Sequence, residues 1–147
     1  NLFARLELWV EEHFISRQAM HRAVGLLQHV ATGEIEPQEY QLTLLKLLIG
    51  LEPDEFFQFG DPVTEVEAEE CATMLQAAIL HARVLGEMSI EVFRQAFLNR
   101  RGVLSFAHGV WLLRVERAEI DVLLPRFPWQ WSWLKLPWLD APIQIEW

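Results

Sequence analysis

The hydrophobic repeat of this sequence changes at Gly102. Before it, apolar residues recur at three- and four-residue intervals; after it, in Val103 to Phe106 and Val110 to Glu116, they alternate. A period near 3.6 buries one side of a helix and a period of 2 buries one face of a strand. The pattern therefore predicts a mainly α fold with a small β part (α+β). About five helices form a body over residues 1–101, and a hairpin, a short helix and short strands occupy 102–147. At 147 residues the chain has the length of a single domain, 1–147, able to bury a core of its own.

The helices are placed by their boundary signals. Leu2, Leu6, Trp9 and Val10 predict a first helix over 2–14. Ser16 offers a cap and Gly33 a stop for a second over 17–32, with Met20, Val24, Leu27 and Ala31 on one face. Pro37 suits the first position of a third, which runs through the apolar Tyr40 to Ile49 and ends at Gly50, and which should be central. The stretch Glu52 to Pro62, with Phe56, Phe57 and Phe59, reads as a packed loop. Thr64 and Glu67 make a capping box for a fourth helix with Cys71, Leu75, Ala78 and Ala82 inward, fading near Gly86. Ser89 caps a fifth with Ile90, Phe93 and Phe97 inward, closed by Gly102.

Beyond Gly102, a hairpin turning at His108-Gly109 is followed by a short helix over 118–124. Extended segments at 131–136 and 143–147 complete the sheet. The sequence shows no internal repeat and no low-complexity tract.

Chemistry is sparse. The seven glycines never cluster, so no phosphate-binding loop can form locally. His21 and His29 lie too far apart on one helix to grip a metal together. Cys71, the only cysteine, falls on an apolar helix face, excludes a disulfide framework and fits a reducing, cytoplasmic setting. Glu65, Glu67, Glu69 and Glu70 crowd a helix start, where the backbone dipole favours them. We expect no catalytic residue, no metal and no cofactor. No apolar run is long enough for a membrane span, Lys46 interrupting the best one. The first residues, Asn1 to Arg5, do not form a signal peptide. Because the chain lacks an initiator methionine, it is expected to be a fragment of a longer one.

Charge is uneven: residues 1–75 hold 14 acids and 4 bases, residues 76–147 hold 7 acids and 8 bases. A net charge of −9 repels phosphate backbones and argues against nucleic acid as a partner. One competing reading is a winged-helix DNA reader, with residues 90–100 as recognition helix and 103–116 as wing. Arg94, Arg100, Arg101, Arg114 and Arg117 would then meet phosphates.

Tryptophan is concentrated at one end: Trp129, Trp131, Trp133, Trp138 and Trp147 are five of the seven. Each such ring can bury about 150–250 Å², too much apolar surface to leave in water. Trp129, Trp131 and Trp133 alternate, so an extended segment would set them on one face. That face could cover the domain's own helices, dock another subunit as aromatic anchors do, or sit at a membrane interface. The surrounding acids oppose the last of these.

Several strings share the order and spacing of a known family. They are Ala31-Thr32-Gly33-Glu34 with Pro37 and Tyr40, Lys46-Leu47-Leu48-Ile49-Gly50-Leu51, Gly102-Val103-Leu104, Trp111 to Arg117, Phe127-Pro128-Trp129, Lys135-Leu136-Pro137-Trp138 and Glu146-Trp147. From about residue 20 onward the chain resembles the C-terminal domain of contractile injection system tape measure proteins. Trp131 and Trp133 depart from it, standing where smaller aliphatic residues are expected, and the turn at His108-Gly109 is short. The resemblance implies a non-catalytic structural part of a phage-tail-like machine. Such a protein occupies the lumen of the inner tube and sets its length after assembling in the cytoplasm. This piece would be an anchor that docks to tail hub, spike, inner-tube or tube-initiator proteins. The five tryptophans would be its contact residues and a trimer or hexamer its possible self-association; a general protein-interaction domain is the alternative.

Overall fold

The structure, a computed structural model, describes residues 2–36, 38–58 and 60–147. Pro37, expected to open a helix, and Phe59, expected in the packed loop, lie outside them, as does Asn1. The architecture is α+β, and the chain divides into two compact units, Asn1–Leu75 and Gln76–Trp147. The division falls where the charge changes, so unit 1 holds the 14 acids against 4 bases and unit 2 the 7 against 8.

Unit 1 begins with a short helix α1 (Leu2–Arg5) and a hairpin of β1 (Trp9–Val10) and β2 (His13–Phe14). This corrects the single helix expected over 2–14. Val10 pairs with His13, so Glu11 and Glu12 alone make the turn, with φ of 49° and 69°. Two left-handed residues define the tight turn that matches strand twist, a geometry normally given to Asn and Gly. Neither glutamate announces it, and the hairpin is held instead by its aromatics. Phe14 meets Trp9 edge to face at 4.9 Å and Phe3 at 5.6 Å.

Helix α2 (Arg17–Thr32) has the predicted ends. The Ser16 hydroxyl accepts from the Ala19 N–H at 3.0 Å, and Gly33, at φ 78°, donates its N–H to the His29 carbonyl at 2.7 Å. Its buried surface is wider than the one predicted stripe, because Ala19, Ala23, Leu26 and Val30 are covered as well as Val24. A 3-10 turn (Glu39–Gln41) leads into α3 (Thr43–Ile49), which Gly50 ends at φ 88°. Ala23 and Val24 join Leu42, Ile49, Leu51 and Phe57 in one apolar cluster, with Phe3, Leu8 and Phe14 packed against it. Phe57 anchors the predicted packed loop, while its neighbour Phe56 is exposed.

Among the described residues of this unit four polar side chains are buried, and each has a partner. Gln28 donates to Gln41 at 2.6 Å, and His29 Nδ1 meets the Glu34 carbonyl at 3.0 Å. The Lys46 ammonium, 2% exposed, is paired with Glu39. His21 is held between Glu55 and the Gln58 N–H.

Helix α4 (Glu65–His81) opens on the predicted capping box: the Thr64 hydroxyl accepts from the Glu67 N–H, and Glu67 accepts from the Thr64 N–H at 2.8 Å. Cys71 is a fully buried thiol, and Ile79 rather than Ala78 completes the inward stripe with Leu75 and Ala82.

In unit 2, a 3-10 turn (Arg83–Leu85) precedes α5 (Ile90–Phe93), which Ser89 caps and which widens into a π-helical turn at Arg94–Leu98. Gly102 does not close this helix as expected. It is the first residue of β3 (Gly102–Ala107), where a Cβ would stand 2.9 Å from the Arg114 carbonyl oxygen. Strand β4 (Val110–Val115) returns antiparallel after the predicted turn, with His108 at φ 53° and Gly109 at 75°. The expected short helix is a 3-10 helix, Glu119–Arg126. Of the segment 131–136 only β5 (Trp133–Leu134) is a strand, and it pairs with β6 (Ile143–Glu146). Since β6 lies parallel to β4, the four-stranded sheet runs β3-β4-β6-β5.

Candidate docking surface

The registers of unit 2 sort its side chains onto two faces. Phe106, Trp111, Ile143 and Leu134 form one row across all four strands, with Leu104, Leu113 and Ile145 beside it. Ile143 is 1% exposed, so this apolar face is covered at its centre, while Phe106 at the hairpin end of the row is 55% exposed. The other face carries the row Ser105, Leu112, Gln144, Trp133 and the row Val103, Arg114, Glu146. Arg114 Nε donates to Glu146 at 3.1 Å there, a mixed polar surface that suits water.

The five tryptophans do not share one strand face, because only Trp133 lies in a strand. Trp133 stands on the outer face and is 46% exposed. Trp129 is 36% exposed; its ring stacks on His81 at 6.0 Å and 16° and touches Phe127 at 5.1 Å. From Phe127 the ring contacts continue to Phe97 and Phe93, which are buried. Trp129 is thus the open end of a column whose other end is core. Trp131 and Trp138 are half-buried.

Trp147 is held by two arginines. The Arg100 guanidinium lies 5.5 Å from its ring centroid, and Arg117 Nε donates to its carbonyl at 3.0 Å. Its indole N–H is buried with no hydrogen-bond partner among the described residues. Cation–π attraction and burial make this residue part of the unit's framework.

Arg100 also binds Asp121 with two parallel bonds, at 2.9 and 3.1 Å, and donates to the Ala96 and Glu116 carbonyls. The guanidinium beside Asp121 outweighs burial and holds its carboxyl below the usual aspartate range. The same pairing raises Arg100 above its ordinary value. Arg114 is paired with Glu146, and Arg94 lies 3.8 Å from Glu91. Four of the five arginines a winged-helix reader would offer to phosphates are therefore engaged within unit 2.

Sequence reasoning did not find the exposed apolar residues of the hairpin, Val103 and Phe106, nor Val122 on the 3-10 helix. Alternation marked the hairpin as a strand pair. Val103 and Phe106 lie on opposite faces, so alternation alone could not mark both as exposed.

Among the described residues no helix is long and apolar enough to cross a membrane, and no group of three or more His, Cys, Asp or Glu is placed to hold a metal. What the fold and these surfaces define is an α+β protein with exposed aromatic side chains on unit 2. The chain belongs to the contractile injection system tape measure protein family, whose model matches residues 1–147. The match takes in the first twenty residues, where the strings above gave no resemblance. The family is structural rather than catalytic. Neither the curated proteins nor the solved structures yielded a match.

Proposed function

We propose that this chain is the anchoring part of a tape measure protein, joining the ruler that sets inner-tube length to the body of the injection machine. It assembles in the cytoplasm and lies in the tube lumen of the finished particle. Its partners are tail hub, spike, inner-tube or tube-initiator subunits, or further copies of itself as a trimer or hexamer. It performs no catalysis and takes no cofactor.

The observation that carries the reading is the exposure of Trp133 and Trp129 on unit 2. Buried tryptophans at the centre of an interface commonly contribute about 2 kcal/mol or more to binding. Trp133 has the outer face of a four-stranded sheet as its platform, and Trp129 has a column of rings running into the core. Trp131 and Trp138 would widen the contact. Trp147, pinned by Arg100 and Arg117, supports it from within.

The test is tryptophan fluorescence of the chain with purified hub, spike, tube and initiator proteins of the same machine, together with its mass by light scattering. One of these should protect the indoles from quenching, and Trp129→Ala with Trp133→Ala should weaken that complex by about tenfold or more. Unchanged affinity in the double variant would remove the tryptophans from the interface.

A further inference from the structure

Each Lys and Arg among the described residues of unit 1 is paired with a carboxylate, although Arg5 and Arg17 stay more than half exposed. Arg5 is paired with Glu70 at 2.8 Å, Arg17 with Glu55, Arg22 with Glu67 and Lys46 with Glu39. Unit 1 therefore has four matched cations and ten further carboxylates, all of them exposed. Unrelieved like charge at this density lowers the potential over the whole surface of the unit and draws cations to any cleft in it.

There is such a cleft. A groove of about 670 Å³ runs between the first half of α2 and residues Phe57, Gln58, Gly60, Asp61, Val63 and Thr64, with Ala19 and Phe57 on its walls. Ile15 and Ile35, which line it, are each 55% exposed. Its one arginine, Arg22, is committed to Glu67 and to the Asp61 and Pro62 carbonyls. Its histidine, His21, has both ring nitrogens occupied, by Glu55 and by the Gln58 N–H. The stretches that line the groove carry exposed carboxylates outside the four ion pairs. Glu7 adjoins Leu8, Glu34 and Glu36 flank Ile35, Asp61 is in the wall, and Glu65 follows Thr64.

We infer that this groove is a second docking site, and that its occupant is a cationic protein segment with an aliphatic side chain seated against Ile15 and Ile35 and Lys or Arg on either side. Apolar contact supplies the seat, Asp61 stands in the wall, and the excess of acids over bases in unit 1 selects the charge of what enters. Nucleic acid is repelled by the same carboxylates, and a second copy of unit 1 would bring like charge to like. The site lies in unit 1, so it does not depend on the tryptophans of unit 2.

The probe is a fluorescein-labelled peptide of repeating Lys-Ile-Gly, titrated into the full chain by anisotropy. The controls are Lys-Ser-Gly and Glu-Ile-Gly repeats of the same length. The Lys-Ile-Gly peptide should bind, and severalfold more weakly at about 200 mM than at about 50 mM salt. Both controls should bind about tenfold more weakly or worse. The exposed-site pair Ile15→Lys and Ile35→Lys should reduce binding by about tenfold with the circular dichroism unchanged, whereas Trp133→Ala should leave it intact.

Equal affinity for the serine peptide would reduce the site to diffuse electrostatics and overturn the inference. So would no binding at all, or binding indifferent to the isoleucine variants. A concentration-dependent dimer broken by those variants would show a second copy in the groove instead.

Discussion

Arg100 and Asp121 face each other through two parallel hydrogen bonds, at 2.9 and 3.1 Å, with both side chains nearly nine-tenths covered. The pair ties the end of the π-helical turn to the 3-10 helix, and Asp121 also accepts from the Ala118 N–H at 2.7 Å. Removing one partner leaves the other charge largely covered and without its counter-ion. Asp121→Ala should therefore destabilise unit 2 by about 3 kcal/mol, read from urea unfolding followed by tryptophan fluorescence. Arg100→Lys should recover little of the stability lost in Arg100→Ala, because an ammonium cannot make the paired contact. Full recovery by lysine would show that only charge matters there.

Stability should also depend on pH through three carboxyls. Asp121 is held low chiefly by Arg100. Burial opposes ionisation of Glu67 and Glu55, but Arg22 with Thr64, and Arg17 with His21, outweigh it, so both are lowered too. A group whose value is lower folded than unfolded stabilises above the unfolded value and loses that stabilisation as pH falls through the folded one. Denaturant midpoints should be flat above about pH 5 and fall steeply below about pH 4. Asp121→Asn should shallow that fall; an unaltered slope would exclude the aspartate as a contributor.

The hairpin turn of unit 1 stores strain. Glu11 and Glu12 sit at φ 49° and 69°, where a side chain costs about 1 kcal/mol. Because glycine also adds about 0.4–1 kcal/mol of unfolded-state entropy, Glu12→Gly should leave stability unchanged or raise it by up to about 0.5 kcal/mol. A lower melting temperature would mean that the glutamate side chain has a contact outweighing its backbone cost.

Lys46 and Glu39 should respond asymmetrically. Glu39→Ala leaves an ammonium 2% exposed without its carboxylate and should cost about 2 kcal/mol, moderated because Glu39 itself is half exposed. Lys46→Met removes the burial penalty with the charge and should be within about 1 kcal/mol of the parent. Equal losses in a double-mutant cycle would contradict this account.

Gly102→Ala should destabilise the hairpin, since its Cβ would meet the Arg114 carbonyl oxygen at 2.9 Å, backbone that cannot swing aside. Chemical shifts of β3 and β4 report this directly, and an unshifted, equally stable hairpin would show that the strands can part at no cost.

Local sequence was sufficient wherever a few neighbouring residues can enforce a geometry. Ser16 and Gly33 bound α2, Thr64 and Glu67 start α4, and His108-Gly109 supplies the two positive φ values that turn β3 into β4. Tertiary structure decided the cases where local preference was weak or wrong. Spacing at Leu2, Leu6 and Trp9 favours a helix, but Phe14 packing on Trp9 and Phe3 makes residues 9–14 a hairpin through a turn that glutamate does not favour. Alternation of Trp129, Trp131 and Trp133 suggested one aromatic face, yet Trp129 is drawn onto Phe127 and His81 while Trp133 stays on the outer sheet. Contacts between residues distant in sequence chose these outcomes, because the area such rings bury outweighs a few tenths of a kcal/mol of propensity per residue. The matching of every cation of unit 1 to a carboxylate was equally invisible in the composition. It requires partners up to 65 residues apart, as in Arg5 and Glu70, which only the folded chain brings together.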